Sequence, residues 1–75
     1  MILAEKIMKL RKQQGWSQED LAIRLDISRQ SVSKWESGAS IPDLNKILQL
    51  SELFSVSTDF LLKEDQEDFS QFQKY

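Results

Sequence analysis

Residues 16–38 read Trp-Ser-Gln-Glu-Asp-Leu-Ala-Ile-Arg-Leu-Asp-Ile-Ser-Arg-Gln-Ser-Val-Ser-Lys-Trp-Glu-Ser-Gly, and this stretch decides the fold. Ser17 and Ser28 each follow a large apolar residue, and another apolar residue stands four positions after each of them. Ser is a preferred N-cap because its hydroxyl accepts a hydrogen bond from a free backbone N–H of the first turn. The flanking apolar pair forms a hydrophobic staple at the helix entry. Two helix starts at this spacing predict a helix-turn-helix.

The composition argues against an enzyme. The chain has 75 residues with no Cys and no His, so the sequence lacks thiolate metal ligands and the commonest acid–base side chain. A chain of this length buries only roughly 60% of its unfolded surface, which leaves little room for a deep catalytic cleft. The sequence also shows no nucleophile–base pair. We therefore expect no enzyme, no cofactor and no metal.

Charge divides the chain into two parts. The net charge is −2, which by itself argues against a nucleic-acid binder. Residues 64–75 hold four acidic residues and one Lys, however, so residues 1–63 carry a net charge of +1. We interpret residues 1–63 as one folded domain and residues 64–75 as an acidic tail that contains aromatic residues. A short helix and disorder are equally compatible with the tail sequence.

The N-terminal apolar residues form neither a signal peptide nor a membrane span. Glu5 and Lys6 interrupt them within the first seven positions. The default expectation is a cytoplasmic protein that makes no membrane contact.

Apolar periodicity and helix-boundary residues predict five helices. The first is expected at residues 3–14, the second after the Ser17 cap and the third at residues 28–37. The fourth is expected to hold Pro42 in its first turn, where the missing N–H costs nothing. A fifth is expected at residues 58–62. The predicted core stripe of the fourth helix consists of Leu44, Ile47, Leu48 and Phe54.

The turn between the second and third helices and the outer face of the third helix are the informative details. Asp26 occupies that turn, and Asp tolerates a left-handed backbone better than most residues. On a helical wheel Val32 and Trp35 point toward the core. The opposite side carries no acidic residue, and it consists of Arg29, Gln30, Ser33, Lys34 and Ser37.

Taken together, several segments resemble the phage repressor/Cro type of helix-turn-helix proteins, the XRE family. The resemblance covers about residues 7–62 and rests on Leu10-Arg11, residues 17–22, residues 27–38, Ile41-Pro42 and residues 56–62. It implies an all-α, compact, five-helix, lambda-repressor-like domain with its helix-turn-helix at helices 2 and 3. Two departures exist: Asp26 stands where many relatives have Gly, and the segment after Gly38 lacks the basic residues that some members place against phosphates.

Candidate DNA contacts follow from both the outer face and the resemblance. Amide, hydroxyl and cationic side chains match the groups that base edges present, so the candidate base contacts are Arg29, Gln30, Ser33 and Lys34. Gln30 is foremost because the resembling proteins use Gln at the matching position. The candidate phosphate contacts are Arg11, Ser17, Gln18, Ser28, Ser37 and Ser40. For each of these residues an ordinary surface or capping role is the alternative.

The resemblance implies two further features. One is an ion pair between Arg11 and Glu36, which would join the first helix to the end of the third. The other is a dimer interface at the start of the fifth helix, formed by Ser57, Thr58 and Leu61. The alternative for Leu61 is a place in the core.

The leading functional hypothesis is a transcriptional regulator, most simply a repressor, that binds a palindromic operator in double-stranded DNA as a homodimer. Its third helix would enter the major groove. The alternative is a protein-binding, antitoxin-like module of the same fold, whose acidic aromatic tail would contact a protein partner.

Overall fold

The computed structural model describes residues 1–63, and this part of the chain forms five helices and no strand. The helices are α1 (Leu3–Gln13), α2 (Gln18–Leu25), α3 (Arg29–Ser37), α4 (Leu44–Phe54) and α5 (Thr58–Leu62). The predicted five-helix, all-α fold is therefore confirmed. None of the helices within residues 1–63 is long and apolar enough to cross a membrane. The tail predicted at residues 64–75 lies outside the described residues.

Serine side chains begin three of the helices. The Ser17 hydroxyl accepts a hydrogen bond from the Asp20 N–H at 3.0 Å, and the Asp20 carboxylate accepts one from the Ser17 N–H at 2.9 Å. This reciprocal pair is a capping box at the start of α2. Ser28 and Ser57 each accept a hydrogen bond from the N–H three residues later, at 3.2 and 2.9 Å. The caps predicted at Ser17 and Ser28 are confirmed, and Ser57 caps α5 in the same way.

Left-handed residues close α2 and α4. Asp26 follows α2 with φ 56° and ψ 49°, as the sequence predicted for that turn. Ser55 follows α4 with φ 56°, and no left-handed residue was predicted at this position. A left-handed non-glycine residue carries a local strain, which the packing on either side must hold in place.

The start and the outward side of α4 differ from the prediction. Pro42 precedes the helix, because Asp43 is the N-cap and its carboxylate accepts a hydrogen bond from the Lys46 N–H at 2.9 Å. Leu44 and Leu48 are 70% and 45% exposed, so their assignment to the core was wrong. The core side of α4 is formed by Ile47 and Phe54, as predicted, together with Leu50.

One continuous hydrophobic core joins all five helices. Within it, α2 packs on α3 and α4, α1 packs on α3 and α5, and α4 packs on α5. The core contains residues from every helix together with Val56: Ile7, Leu10, Leu21, Ala22, Leu25, Val32, Trp35, Ile47, Leu50, Phe54, Val56, Phe60 and Leu61. The helix-turn-helix is thus held from behind by α1 and α4.

A buried Lys also joins α1 to the end of α5. Lys6 is 1% exposed, and its ammonium donates hydrogen bonds to the backbone carbonyls of Phe60 and Lys63. The same ammonium lies 5.1 Å from the centre of the Phe60 ring. A cation at the C-terminal end of a helix interacts favourably with the helix dipole. Nothing in the sequence indicated this contact.

Candidate nucleic-acid interface

The outward face of α3 is polar, cationic and free of exposed carboxylates. Arg29, Gln30, Ser33 and Lys34 are all exposed, and the first turn of α3 contains no acidic residue. The inward face holds Val32, which is fully buried, so the orientation of the helix is fixed. The structure therefore brings the four predicted base-contacting residues together on one accessible surface. We call these four residues the α3 outer face.

A buried ion pair lies behind this face. Arg11 of α1 donates from Nε and Nη2 to the two carboxylate oxygens of Glu36 of α3, at 2.6 and 2.9 Å. The side chains of Arg11 and Glu36 are 10% and 2% exposed. Such a bidentate geometry fixes the mutual position of the two helices as well as their distance. The Glu36 hydrogen bonds raise the pKa of Arg11 above its ordinary value, so the guanidinium stays charged across the whole working pH range.

The sequence did not indicate that α2 joins the same network. The Gln18 side-chain amide donates to Glu36 Oε1 at 3.1 Å, and Arg11 Nη1 donates to the Trp16 carbonyl at 2.8 Å. Glu36 thus accepts hydrogen bonds from both α1 and α2. We call Arg11, Gln18 and Glu36 the three-helix network. It ties the first turn of α2 to the last turn of α3 and so holds the two helices of the helix-turn-helix against each other.

The predicted phosphate-contacting residues differ in how far their polar groups are already hydrogen-bonded within the protein. Arg11 is buried and bonded within the protein, while Gln18 is half-buried with its amide directed to Glu36. Ser17 and Ser28 are exposed caps whose oxygens accept helix N–H groups, and the Ser28 hydroxyl also shares a hydrogen bond with the Ser31 hydroxyl at 3.1 Å. The Ser37 hydroxyl is exposed but donates to the Lys34 carbonyl at 3.1 Å.

The backbone N–H groups of Ala39 and Ser40, which follow α3, are already hydrogen-bonded within the protein. Ser40 is half-buried, and its backbone N–H donates to the carbonyl of Lys34 at 3.2 Å. The N–H of Ala39 donates to the same carbonyl at 2.9 Å. These amides close the C-terminus of α3, so a phosphate contact at Ser40 would fall to its hydroxyl.

The three residues predicted for a dimer interface do not share one surface. Ser57 is exposed and caps α5, and Thr58 is half-buried. Leu61 is 1% exposed and belongs to the core, so its side chain is closed off from a second copy. Leu61 thus has the place in the core that was its alternative, and a dimer interface at the start of α5 stays a prediction. Leu62, at 55% exposed, is the apolar residue that α5 presents to solvent.

Comparisons with known proteins agree with the geometry. A family model described as helix-turn-helix matches residues 7–61. The SPbeta prophage-derived uncharacterized HTH-type transcriptional regulator YonR of Bacillus subtilis (strain 168) is 44% identical over 62 residues, which cover 83% of this chain and 57% of that protein. The HTH-type transcriptional activator BcrR of Enterococcus faecalis is 40% identical over 62 residues, covering 83% of this chain and 30% of that protein. The chain therefore spans about half the length, or less, of these curated relatives.

The fold also matches a solved repressor structure. The crystal structure of the P22 c2 repressor in complex with a synthetic operator superimposes with a TM-score of 0.80 and 31% sequence identity. The match covers 87% of this chain and 98% of that one. These findings confirm the resemblance inferred from the sequence, and the chain belongs to the helix-turn-helix family of the phage repressor/Cro (XRE) type.

Proposed function

We propose that this domain is a sequence-specific transcriptional regulator that binds double-stranded DNA. The observation that carries the proposal is the α3 outer face, an accessible surface of amide, hydroxyl and cationic side chains without an exposed acid. Membership of a family of transcription regulators supports the same function and speaks against an enzyme. The P22 c2 repressor, which shares the fold, was crystallised with a synthetic operator.

In the proposed mechanism α3 enters the major groove with its N-terminal residues on the base edges. Gln30 pairs through its amide with an adenine, and Arg29 or Lys34 contacts a guanine or a nearby phosphate. Ser33 is short enough to let the helix lie close to the bases. The first turn of α2 lies across the DNA backbone, with Gln18 and the Ser17 hydroxyl facing phosphates. The hydroxyls of Ser28, Ser37 and Ser40, at the two ends of α3 and just after it, face further phosphates. Arg11 acts mainly by holding Glu36.

The proposed assembly on DNA is a homodimer on a palindromic operator. Two copies related by a twofold axis would place their α3 helices about 34 Å apart, one turn of DNA. Repression would follow from excluding the polymerase at the promoter, although the relative BcrR is an activator. A regulator acts where its operator is, so we place this protein in the cytoplasm on the nucleoid.

The direct test is selection of bound sequences from a random DNA library at two salt concentrations. An enriched palindrome is expected, and its spacing gives the dimer geometry. Binding should weaken steeply with salt, because cationic side chains release counterions from the phosphates. If no sequence is enriched, the proposal of sequence-specific binding is overturned.

A substitution then tests the role of the α3 outer face. Gln30→Ala should weaken binding to the selected operator by roughly 5- to 150-fold for each half-site, the loss of one bidentate base contact per copy. It should also relax the preference at one base pair of each half-site. Gln49→Ala is the matched control, because Gln49 is an exposed Gln on α4. Equal operator binding by the Gln30→Ala and Gln49→Ala variants would contradict the proposed orientation of α3.

A further inference from the structure

The turn between α2 and α3 is closed by backbone hydrogen bonds that do not involve the last carbonyl of α2. The Asp26 N–H donates to the Ile23 carbonyl at 3.2 Å, and the Ile27 N–H donates to the Ala22 carbonyl at 3.0 Å. The last residue of α2 is Leu25. Because the final carbonyls of a helix have no partner within the helix, the Leu25 carbonyl depends on a donor from elsewhere in the protein.

That donor is Lys46 of α4. Its ammonium donates a hydrogen bond to the Leu25 carbonyl at 3.2 Å, and the residue is half-buried. The Lys46 N–H donates to the Asp43 carboxylate at 2.9 Å, which fixes Lys46 in the first turn of α4. A cation at the C-terminal end of a helix also interacts favourably with the helix dipole. Lys46 therefore joins the start of α4 to the end of α2.

Arg24, the basic residue in the last turn of α2, does not take this place. Its guanidinium lies 4.1 Å from the centre of the Trp16 ring and donates to the Asp20 carbonyl at 3.2 Å. Both contacts direct Arg24 toward the N-terminal end of α2, away from the turn. The positive charge at the turn is therefore supplied from α4.

The turn needs a restraint because Asp26 is left-handed. With φ 56° and ψ 49°, Asp26 has a backbone conformation that costs free energy for residues other than glycine. Such a conformation persists only where the surrounding structure holds it. The Leu25 carbonyl belongs to the peptide group that joins Leu25 to Asp26. A hydrogen bond that holds this peptide plane therefore also restrains the φ angle of Asp26.

The two ends of α3 are held by different contacts. The three-helix network holds the last turn of α3 through Glu36. The first turn carries Arg29 and Gln30, which follow Leu25 by four and five positions. A rotation of the backbone at Asp26 therefore displaces the end of α3 that bears these two candidate base contacts.

We propose that Lys46 is a positioning residue for base recognition, which acts by holding the α2–α3 turn in its left-handed form. This inference rests on the proposed function, and it gives Lys46 no contact with DNA. The ammonium acts through the Leu25 carbonyl and Asp26 on the direction in which α3 leaves the turn. Base contacts require that direction, whereas binding to DNA of unrelated sequence uses mainly phosphate contacts.

The test compares the affinity for the selected operator with the affinity for DNA of unrelated sequence. Lys46→Met keeps most of the side-chain volume and removes the ammonium. It should lower the ratio of the two affinities roughly 5-fold for each half-site, the lower end of the loss of one base contact. Lys9→Met, which removes an exposed charge from α1, should leave the ratio unchanged. An unchanged ratio in Lys46→Met, or an equal change in Lys9→Met, overturns the proposal.

A second substitution tests the link to Asp26. Asp26→Gly places at the turn the residue that adopts the left-handed region without steric strain. In this background Lys46→Met should lower the affinity ratio by less than about 2-fold for each half-site, because the two changes act on the same turn and are not additive. A loss as large as the one in the wild-type background contradicts the proposed route through Asp26.

Amide hydrogen exchange without DNA separates this inference from the proposed function. In Lys46→Met the N–H groups of Asp26 and Ile27 should exchange several times faster, because the turn opens locally. The Ala39 N–H, which closes the other end of α3, should exchange as in wild type. If no DNA sequence is selected but the turn amides exchange faster, the proposed function fails and the hold of Lys46 on the turn stands. Exchange at Asp26 and Ile27 that is accelerated no more than at Ala39 refutes that hold.

Discussion

Glu36→Ala should destabilise the domain more than any change on the α3 outer face. The substitution leaves the Arg11 guanidinium, with a side chain 10% exposed, without its carboxylate partner. Removing one member of a buried ion pair costs about 3–5 kcal/mol, and the slight exposure of Arg11 points to the lower end. A domain of this size has a free energy of unfolding of roughly 3–9 kcal/mol. The variant should therefore lose at least a third of its stability.

Urea unfolding followed by circular dichroism measures this loss. With a slope of roughly 1 kcal/mol per molar urea for so small a domain, the midpoint should fall by about 3 M. Operator affinity is then compared at a temperature at which both proteins are folded. It should fall by at least about tenfold, or 1.4 kcal/mol, because Glu36 no longer fixes α3 against α1 and α2. Glu52→Ala, an exposed acidic residue on α4, should leave both quantities unchanged.

The double variant Arg11→Met/Glu36→Leu distinguishes an unpaired buried charge from lost packing. Replacing both members of a buried pair by apolar side chains is often neutral or stabilising. The double variant should therefore recover most of the stability that Glu36→Ala loses, while operator binding stays weak because Gln18 has lost its acceptor. A Glu36→Ala midpoint within about 0.5 M urea of wild type, or an unchanged operator affinity, would refute the reasoning.

Two further predictions concern helix ends. Lys6→Met should lower the free energy of unfolding by about 2 kcal/mol, because the carbonyls of Phe60 and Lys63 lose a charged donor; a loss below about 0.5 kcal/mol would show that the contact is not stabilising. The capping hydrogen bonds from Ser17, first from its N–H and then from its hydroxyl, lower the pKa of Asp20. The ionised Asp20 therefore stabilises the folded state above a pH of about 4, the pKa in the unfolded chain, and this contribution disappears as the pH falls through the lowered pKa. In urea titrations at a series of pH values, Asp20→Asn should make the free energy of unfolding depend less on pH in the acid range. An unchanged pH dependence would contradict this role of Asp20.

Features encoded in adjacent residues were the ones that the sequence predicted well. Ser17, Ser28 and Ser57 begin helices because a hydroxyl reaches an N–H only three residues away, which is a local event. The outward orientation of the α3 outer face was predictable for a similar reason, since Val32 and Trp35 fix which side of the helix is buried. The resemblance supplied the pairing of Arg11 with Glu36, which no local rule gives.

Features that depend on how helices pack were predicted poorly. Leu44 and Leu48 have the spacing of a core stripe with Ile47, yet the register of α4 turns Ile47 and Leu50 inward and leaves Leu44 and Leu48 exposed. Periodicity finds an apolar stripe but does not choose between two stripes on one helix. Lys6 escaped detection because its acceptors are backbone carbonyls 54 and 57 residues away, and carbonyls leave no mark in a sequence.

The three-helix network connects the stability of the domain to the charge of its proposed DNA-binding surface. Glu36 is the single acidic residue of α3, and an exposed carboxylate there would repel phosphates. Turning it inward would be costly without partners, because a buried charge must be paired and hydrogen-bonded. Arg11 and Gln18 supply those partners, and in doing so they position α2 against α3. A contact on the opposite side of the helix therefore keeps a carboxylate off the α3 outer face, which is why a substitution that never touches DNA should weaken DNA binding.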